Sequence, residues 1–159
     1  MSEVISTDQV FSLEQKHLIG ILADMMIPES GDFPSAAEQG IVSVIIEKLS
    51  VEKTTVNKAL RLLEELAQQD YQLGFSSLSA IQREALIGVM KDQAPAFIQL
   101  LQQNVLSNYY QNSAVLSALG VRAHAPYPGG YTVAETDWSI LDPVRKRDPF
   151  YKKVQGTSD

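Results

Sequence analysis

Residues 12–28, SLEQKHLIGILADMMIP, contain the pattern that decides the fold. Ser12 and Gln15 have the spacing of a capping box, in which the serine side chain accepts a hydrogen bond from the backbone N–H three residues on. Apolar residues then recur at the spacing of one helix face, at Leu18, Ile21, Leu22, Met25 and Met26. Because proline cannot continue a helix, Pro28 ends it. The stretch predicts an amphipathic helix that buries this stripe, both methionines included.

A second helix is predicted between Ser35 and Leu49. Ser35 and Glu38 have the spacing of another capping box, and the residues behind them are apolar on nearly every side. The many β-branched residues in residues 41–46 also fit a strand, but the cap and the length favour a helix. Because this helix is apolar on nearly all sides, we expect it to lie at the centre of the bundle.

The same start and stop signals predict four more helices. One runs from Thr54 to Leu73 with Gly74 as a left-handed cap, and one follows the capping box of Ser79 and Gln82. Pro95 suits the first turn of the next helix, and a short last one closes at Gly120. The buried positions are expected to be Val56, Leu60, Leu63 and Ala67, then Leu86, Val89 and Met90, then Phe97, Leu100, Leu101, Val105 and Tyr109. The prediction is an all-α fold, a compact bundle of about six helices.

The composition of the chain argues against several classes of function. A chain of 159 residues suits a single core, and its net charge of −6 argues against nucleic acid as a partner. It has no cysteine, which excludes disulfides, thiolate metal sites and cysteine nucleophiles. Residues 1–10 carry neither a basic start nor an apolar stretch, so we expect a cytoplasmic protein without direct membrane insertion, periplasmic only if it is exported with a partner.

The last part of the chain differs from the rest. We expect a flexible N-terminus over residues 1–11, a helical domain over 12–120 and a mostly irregular, extended C-terminal arm over 121–159. Residues 1–120 have 14 acidic and 7 basic side chains, whereas the arm has 5 and 6. The arm is rich in proline, glycine and aromatic residues, which suits packing on the helices or on a partner. Its candidate partner-binding residues are Tyr127, Pro128, Tyr131, Trp138, Phe150 and Tyr151.

Candidates for chemistry are few. Glu14 and His17 lie three residues apart on one helix face, as in metal-binding bundles, but such sites need further ligands. The other histidine, His124, is in the arm. Gly129 and Gly130 open no helical pattern, so they do not form a phosphate-binding loop. We predict no catalytic, cofactor-binding or metal-binding residue on this chain.

Several segments together resemble the gluconate 2-dehydrogenase subunit 3 family. Their order and approximate spacing agree from about residue 12 to residue 131. They are residues 22–28 (LADMMIP); residues 36–41 (AAEQGI) with the apolar run to Leu49; Phe75, Leu78, Ser79, Gln82 and Leu86; and Tyr109–Tyr110, Leu119–Gly120 and residues 126–131 (PYPGGY).

The resemblance implies a non-catalytic small subunit. In this family the large subunit is a flavoprotein dehydrogenase of the glucose-methanol-choline class, which carries FAD and oxidises a sugar or sugar acid. The small subunit supports its maturation and, in many members, its export through a twin-arginine signal. Residues 1–10 contain no such signal, which puts an export role in doubt.

Two alternatives remain on the residues alone. The chain could be a homo-oligomeric helical scaffold in which the arm swaps onto a neighbouring copy. It could also be a helical bundle that binds a small ligand or a metal without a flavoprotein partner, with Glu14 and His17 as its ligands.

Overall fold

Six helices form the body of the protein in the computed structural model, which describes residues 10–123, 127, 130 and 135–148. They are α1 (Leu13–Met26), α2 (Gln39–Leu49), α3 (Lys53–Tyr71), α4 (Ala80–Gln93), α5 (Pro95–Tyr109) and α6 (Ser113–Ala118). Single 3₁₀ turns follow α2 and precede α4, at Ser50–Glu52 and Phe75–Ser77. The described residues contain no strand, so the predicted all-α bundle is confirmed, including helix rather than strand for α2.

The helix starts follow from capping chemistry. Ser12 and Ser79 each form the predicted box, with the serine Oγ accepting from the N–H of Gln15 or Gln82 and that glutamine accepting in return. Pro95 occupies the first turn of α5 as expected. At the end of α6, Gly120 has φ +71°, while the N–H groups of Gly120 and Val121 bond to the carbonyls of Ser117 and Leu116. These two bonds complete a Schellman motif, which stops the helix where glycine tolerates positive φ.

Two predicted caps are wrong. α2 begins only at Gln39, and Ser35 caps no helix because its Oγ accepts from the N–H of Ala37 and donates to Asp24. A hydrogen bond from the N–H of Glu38 to the carbonyl of Ser35 closes a separate turn before the helix. The left-handed residue after α3 is Gln72, at φ 57°, rather than Gly74, which is extended.

The core lies among α1–α5, and α5 is its central helix. α5 packs against α1, α2, α3 and α4, whereas α2 packs chiefly on α1 and α5 and leaves Val44 exposed, so the predicted central position of α2 is wrong. The predicted stripe of α3 is fully buried, as are Leu86, Met90, Phe97, Leu101, Val105 and Tyr109, whereas Val89 and Leu100 are only half-buried. Phe11, just before α1, is also buried in this core.

The stripe predicted for α1 is rotated in the structure. The buried residues are Leu18, Ile19, Leu22 and Ala23, while Met25 is half-buried and Met26 is 37% exposed. The reason is that α1 is apolar over an arc wider than its neighbours cover, and the covered side contains Ile19 and Ala23. The methionines are therefore at the edge of the core rather than inside it.

The chain divides into two compact units, Met1–His124 and Ala125–Asp159. The described part of the second unit contains a 3₁₀ turn at Trp138–Leu141 that continues into the short helix α7 (Asp142–Arg145). None of the helices in the described ranges is long and apolar enough to cross a bilayer.

Candidate partner-binding surfaces

A tyrosine on α5 holds the loop between α1 and α2. The phenol of Tyr109 donates a 2.9 Å hydrogen bond to the carbonyl oxygen of Pro34, and the N–H of Ala36 donates to Ile27 at the other end of the loop. Ala36 is fully buried. The ring of Tyr110 meets Tyr109 edge-on, with centroids 5.2 Å apart. Burial, and to a lesser extent the neighbouring Tyr110, raise the pKa of Tyr109, so its phenol remains a donor.

The same loop forms an acidic cleft. Four carboxylates line it together with Phe33 and Pro34, and its volume is about 620 Å³; the four are Asp24, Glu29, Asp32 and Glu38. Asp24 accepts a 2.5 Å hydrogen bond from the Ser35 hydroxyl, which ties the end of α1 to the loop. Within the described ranges, no three His, Asp or Glu side chains lie close enough together to hold a metal ion, these four carboxylates included. The cleft is thus a negatively charged surface beside a pinned loop.

Arg83 holds the turn that joins α3 to α4. Its guanidinium donates to the carbonyls of Phe75, at 3.3 Å, and Ser76, at 2.6 Å, and its central carbon lies 5.8 Å from the centroid of the Phe75 ring. The N–H of Phe75 donates to Glu64 on α3, at 3.3 Å. Phe75 is therefore held by charged side chains of both flanking helices, its backbone N–H by Glu64 and its carbonyl and ring by Arg83.

A groove opens where α1, α4 and α5 meet, and we call it the α1–α4–α5 groove. Its apolar lining is Leu22, Met25, Met26, Ile87, Ile98 and Leu101. Glu84, Lys91 and Gln102 are its polar members, and its volume is about 520 Å³. The sequence interpretation placed both methionines in the core and missed this surface. The available signal was the surplus of apolar residues on α1, which exceeds one helix face.

The two candidate metal ligands both lie on α1. Glu14 and His17 are both exposed, and they line different concavities: Glu14 faces one that includes Arg61 and Glu65, whereas His17 faces one that includes Asp24 and Arg83. Among the residues described, neither belongs to a group of three His, Asp or Glu side chains that could hold a metal ion. His124 lies outside the described residues.

Two of the arm's six candidate residues can be placed. Tyr127 is 87% exposed and Trp138 is 62% exposed, whereas Pro128, Tyr131, Phe150 and Tyr151 lie outside the described residues. The helical turns at 138–145 were not predicted. Asp137 caps them by accepting from the N–H of Ser139, at 3.0 Å, and the hydrogen bonds to Ser139 lower the pKa of Asp137.

The turns present further apolar side chains beside Trp138. Ile140 and Val144 are exposed, and Leu141 is partly so. The basic run Arg145–Arg147 follows directly, and Arg145 lies 3.5 Å from Asp142 across an exposed ion pair. The described segment thus combines several exposed apolar side chains with a basic end.

Comparison with known families decides the identity of the chain. The model of the family described as gluconate 2-dehydrogenase subunit 3 matches residues 13–129, which is most of the chain. The chain belongs to the gluconate 2-dehydrogenase subunit 3 family. No curated protein and no solved structure shows significant similarity to it.

The match confirms the resemblance inferred from the four segments. It covers all six helices of the body and ends at residue 129, within the segment 126–131. Trp138 and the basic run therefore lie beyond the matched residues. The family name describes a subunit of a dehydrogenase, which is consistent with an accessory role for this chain.

Proposed function

We propose that the chain is a non-catalytic accessory subunit that binds a flavoprotein dehydrogenase acting on a sugar or sugar acid and stabilises or matures it. The observation that carries the proposal is the family match over residues 13–129, because a third subunit of a dehydrogenase has another subunit to bind. The FAD and the chemistry belong to the partner. This chain contributes a bundle whose loops are pinned by Tyr109 and Arg83.

The arm supplies the first contacts in this proposal. Exposed aromatic side chains such as Tyr127 and Trp138 are common anchors of interfaces, since they bury much area for little entropy lost. Pro128, Tyr131, Phe150 and Tyr151 complete the proposed set. Ile140 and Val144 in the same segment are exposed as well, and exposing several large apolar side chains to water is typical of a binding surface.

The basic residues of the arm indicate the charge of the partner surface that it contacts. Arg145, Lys146 and Arg147 follow the apolar turns, so the partner surface is expected to place carboxylates beside an apolar pocket. Exposed pairs of this kind affect the association rate and its salt dependence more than the final affinity. Capture of the partner should therefore weaken with added salt without being abolished.

The test is co-purification from the native cell with the full-length, tagged chain. We expect one large protein to co-purify and the eluate to show flavin absorbance, with Trp138→Ala reducing the flavin recovered per tagged chain. Ile81→Ala is the matched control, because Ile81 is an exposed apolar residue on α4 of the body. An unchanged yield with Trp138→Ala would remove Trp138 from the interface, and a colourless eluate from the wild-type chain would contradict the accessory role.

A further inference from the structure

The α1–α4–α5 groove is an apolar concavity on the body, within the residues that the family match covers. α1 turns Leu18, Ile19 and Ala23 into the core and leaves Met25 and Met26 at the groove. Ile87 of α4 and Ile98 of α5, both half-buried, form the facing sides. A groove between helices is the shape that a further helix fills by packing its ridges.

Two features of the lining suit an exchangeable protein ligand. Adjacent methionines have flexible, polarisable side chains that adapt to the shape of an incoming surface. Met26 is 37% exposed although it is one of the larger apolar residues of the body. Covering it and its neighbours removes apolar surface from water, which favours association.

Charges at the rim set the chemistry of the occupant. Glu84 and Lys91 are both exposed on α4 and lie seven residues apart, about 10 Å along the helix axis, with Ile87 between them. Neither forms an ion pair with another residue in the ranges described. An occupant that places a basic side chain near Glu84, an acidic one near Lys91 and apolar ones between them matches both the charge and the apolar floor.

The concave shape of the groove distinguishes between two possible occupants, a second copy of this chain and a helix of a different chain. Two copies of this chain facing each other across the groove could pair Glu84 with Lys91 of the other copy, because an isologous contact is reciprocal. Both copies would then present a concave surface, however, and the floor would stay unfilled. A convex helix from a different chain fills the floor and satisfies the rim at once.

From these observations we propose that the α1–α4–α5 groove receives an amphipathic helix of the flavoprotein dehydrogenase subunit, oriented by Glu84 and Lys91. This inference rests on the proposed accessory function. It adds a second contact, on the body, to the contact made by the arm. Two separate contacts joined by one chain raise the effective concentration of each for the other.

The test uses the full-length, tagged chain and the flavoprotein that co-purifies with it from the native cell. Met26→Glu places a charge in the groove, and Val44→Glu is its control, because Val44 on α2 is 39% exposed and does not line the groove. Circular dichroism and thermal unfolding are the controls that test whether both variants fold. We expect Met26→Glu to reduce the flavin recovered per tagged chain at least about tenfold, and Val44→Glu to leave it near wild type.

A charge swap tests the orientation with no risk to the core. Glu84→Lys combined with Lys91→Glu is expected to reduce recovery, whereas Glu47→Lys combined with Lys48→Glu, two exposed positions on α2, is expected to leave it unchanged. Wild-type recovery of flavin with a folded Met26→Glu variant would contradict the proposed role of the groove and leave the accessory function intact. If light scattering shows that the wild-type chain is a dimer and that Met26→Glu makes it a monomer, the groove binds a second copy of this chain, and the proposed helix of the dehydrogenase subunit is wrong. A wild-type chain that recovers no flavoprotein would overturn the accessory function and this inference with it.

Discussion

The phenol of Tyr109 donates a 2.9 Å hydrogen bond to the carbonyl oxygen of Pro34, joining positions 75 residues apart in the sequence. Its ring is buried in the core at the end of α5, and Pro34 lies in the loop between α1 and α2. Tyr109 therefore ties to α5 a loop whose own backbone bonds, between Ser30 and Phe33 and from Ala36 to Ile27, are all local.

Tyr109→Phe should lower the free energy of unfolding by about 1 kcal/mol. The change keeps the buried ring but leaves the Pro34 carbonyl without its donor. Tyr110→Phe is the control, because its ring lies beside Tyr109 and is half exposed. Urea unfolding followed by circular dichroism measures both; equal stabilities of the two variants would contradict the role given to the bond.

The stability difference between wild type and Tyr109→Phe should also depend on pH. Because burial raises the pKa of Tyr109, the folded state favours the neutral phenol. This contribution is fully present below the ordinary pKa of about 10 and is lost as pH rises through the raised value. The difference between the two proteins should therefore shrink above about pH 10, and a difference that stays constant up to about pH 11 would show that Tyr109 titrates normally.

Arg83→Gln should destabilise the turn between α3 and α4. The substitution removes two charge-assisted hydrogen bonds to backbone carbonyls and the contact with the Phe75 ring. We expect a loss of roughly 1–2 kcal/mol, since the Ser76 side of the contact is open to solvent. Arg61→Gln, at an exposed position on α3, should change the free energy of unfolding by less than about 0.5 kcal/mol. Similar losses in the two variants would argue against the Arg83 contact as a structural element.

The capping boxes provide a test of sequence against structure. Ser79→Ala should cost about 1 kcal/mol, because Ser79 accepts from the N–H of Gln82 at the start of α4. Glu38→Ala should cost less than about 0.5 kcal/mol, because the Glu38 side chain makes no cap hydrogen bond although Ser35 and Glu38 have the same spacing. Thermal unfolding of both variants measures this, and a larger loss for Glu38→Ala would restore the capping box predicted from the sequence.

These residues show which parts of the fold follow from local pattern. Ser12, Ser79 and Pro95 act on backbone groups within one turn, so their spacing was enough to predict where α1, α4 and α5 begin. Ser35 has the same local pattern, but its hydroxyl donates to Asp24 on another element, and no spacing rule includes that partner. The rotation of α1 has the same origin, because the choice between Ile19 and Met26 as a buried residue depends on which neighbour arrives.

The candidate surfaces were predicted unevenly for related reasons. The aromatic content of the arm is a property of composition, so the sequence alone is enough to single out Tyr127 and Trp138. The α1–α4–α5 groove is formed by three helices together, and its members are ordinary apolar residues in the sequence. Only their placement shows that Met25, Met26, Ile87 and Ile98 share one concave surface.

The most direct test of the accessory role is the mass and absorbance of the particle that contains this chain. Purified from its native cell under mild conditions, the tagged chain should elute with a larger protein in one peak, and flavin absorbance should follow that peak. Elution as a colourless species with only the mass of the chain, 17.5 kDa, would contradict the proposal that it holds a flavoprotein dehydrogenase.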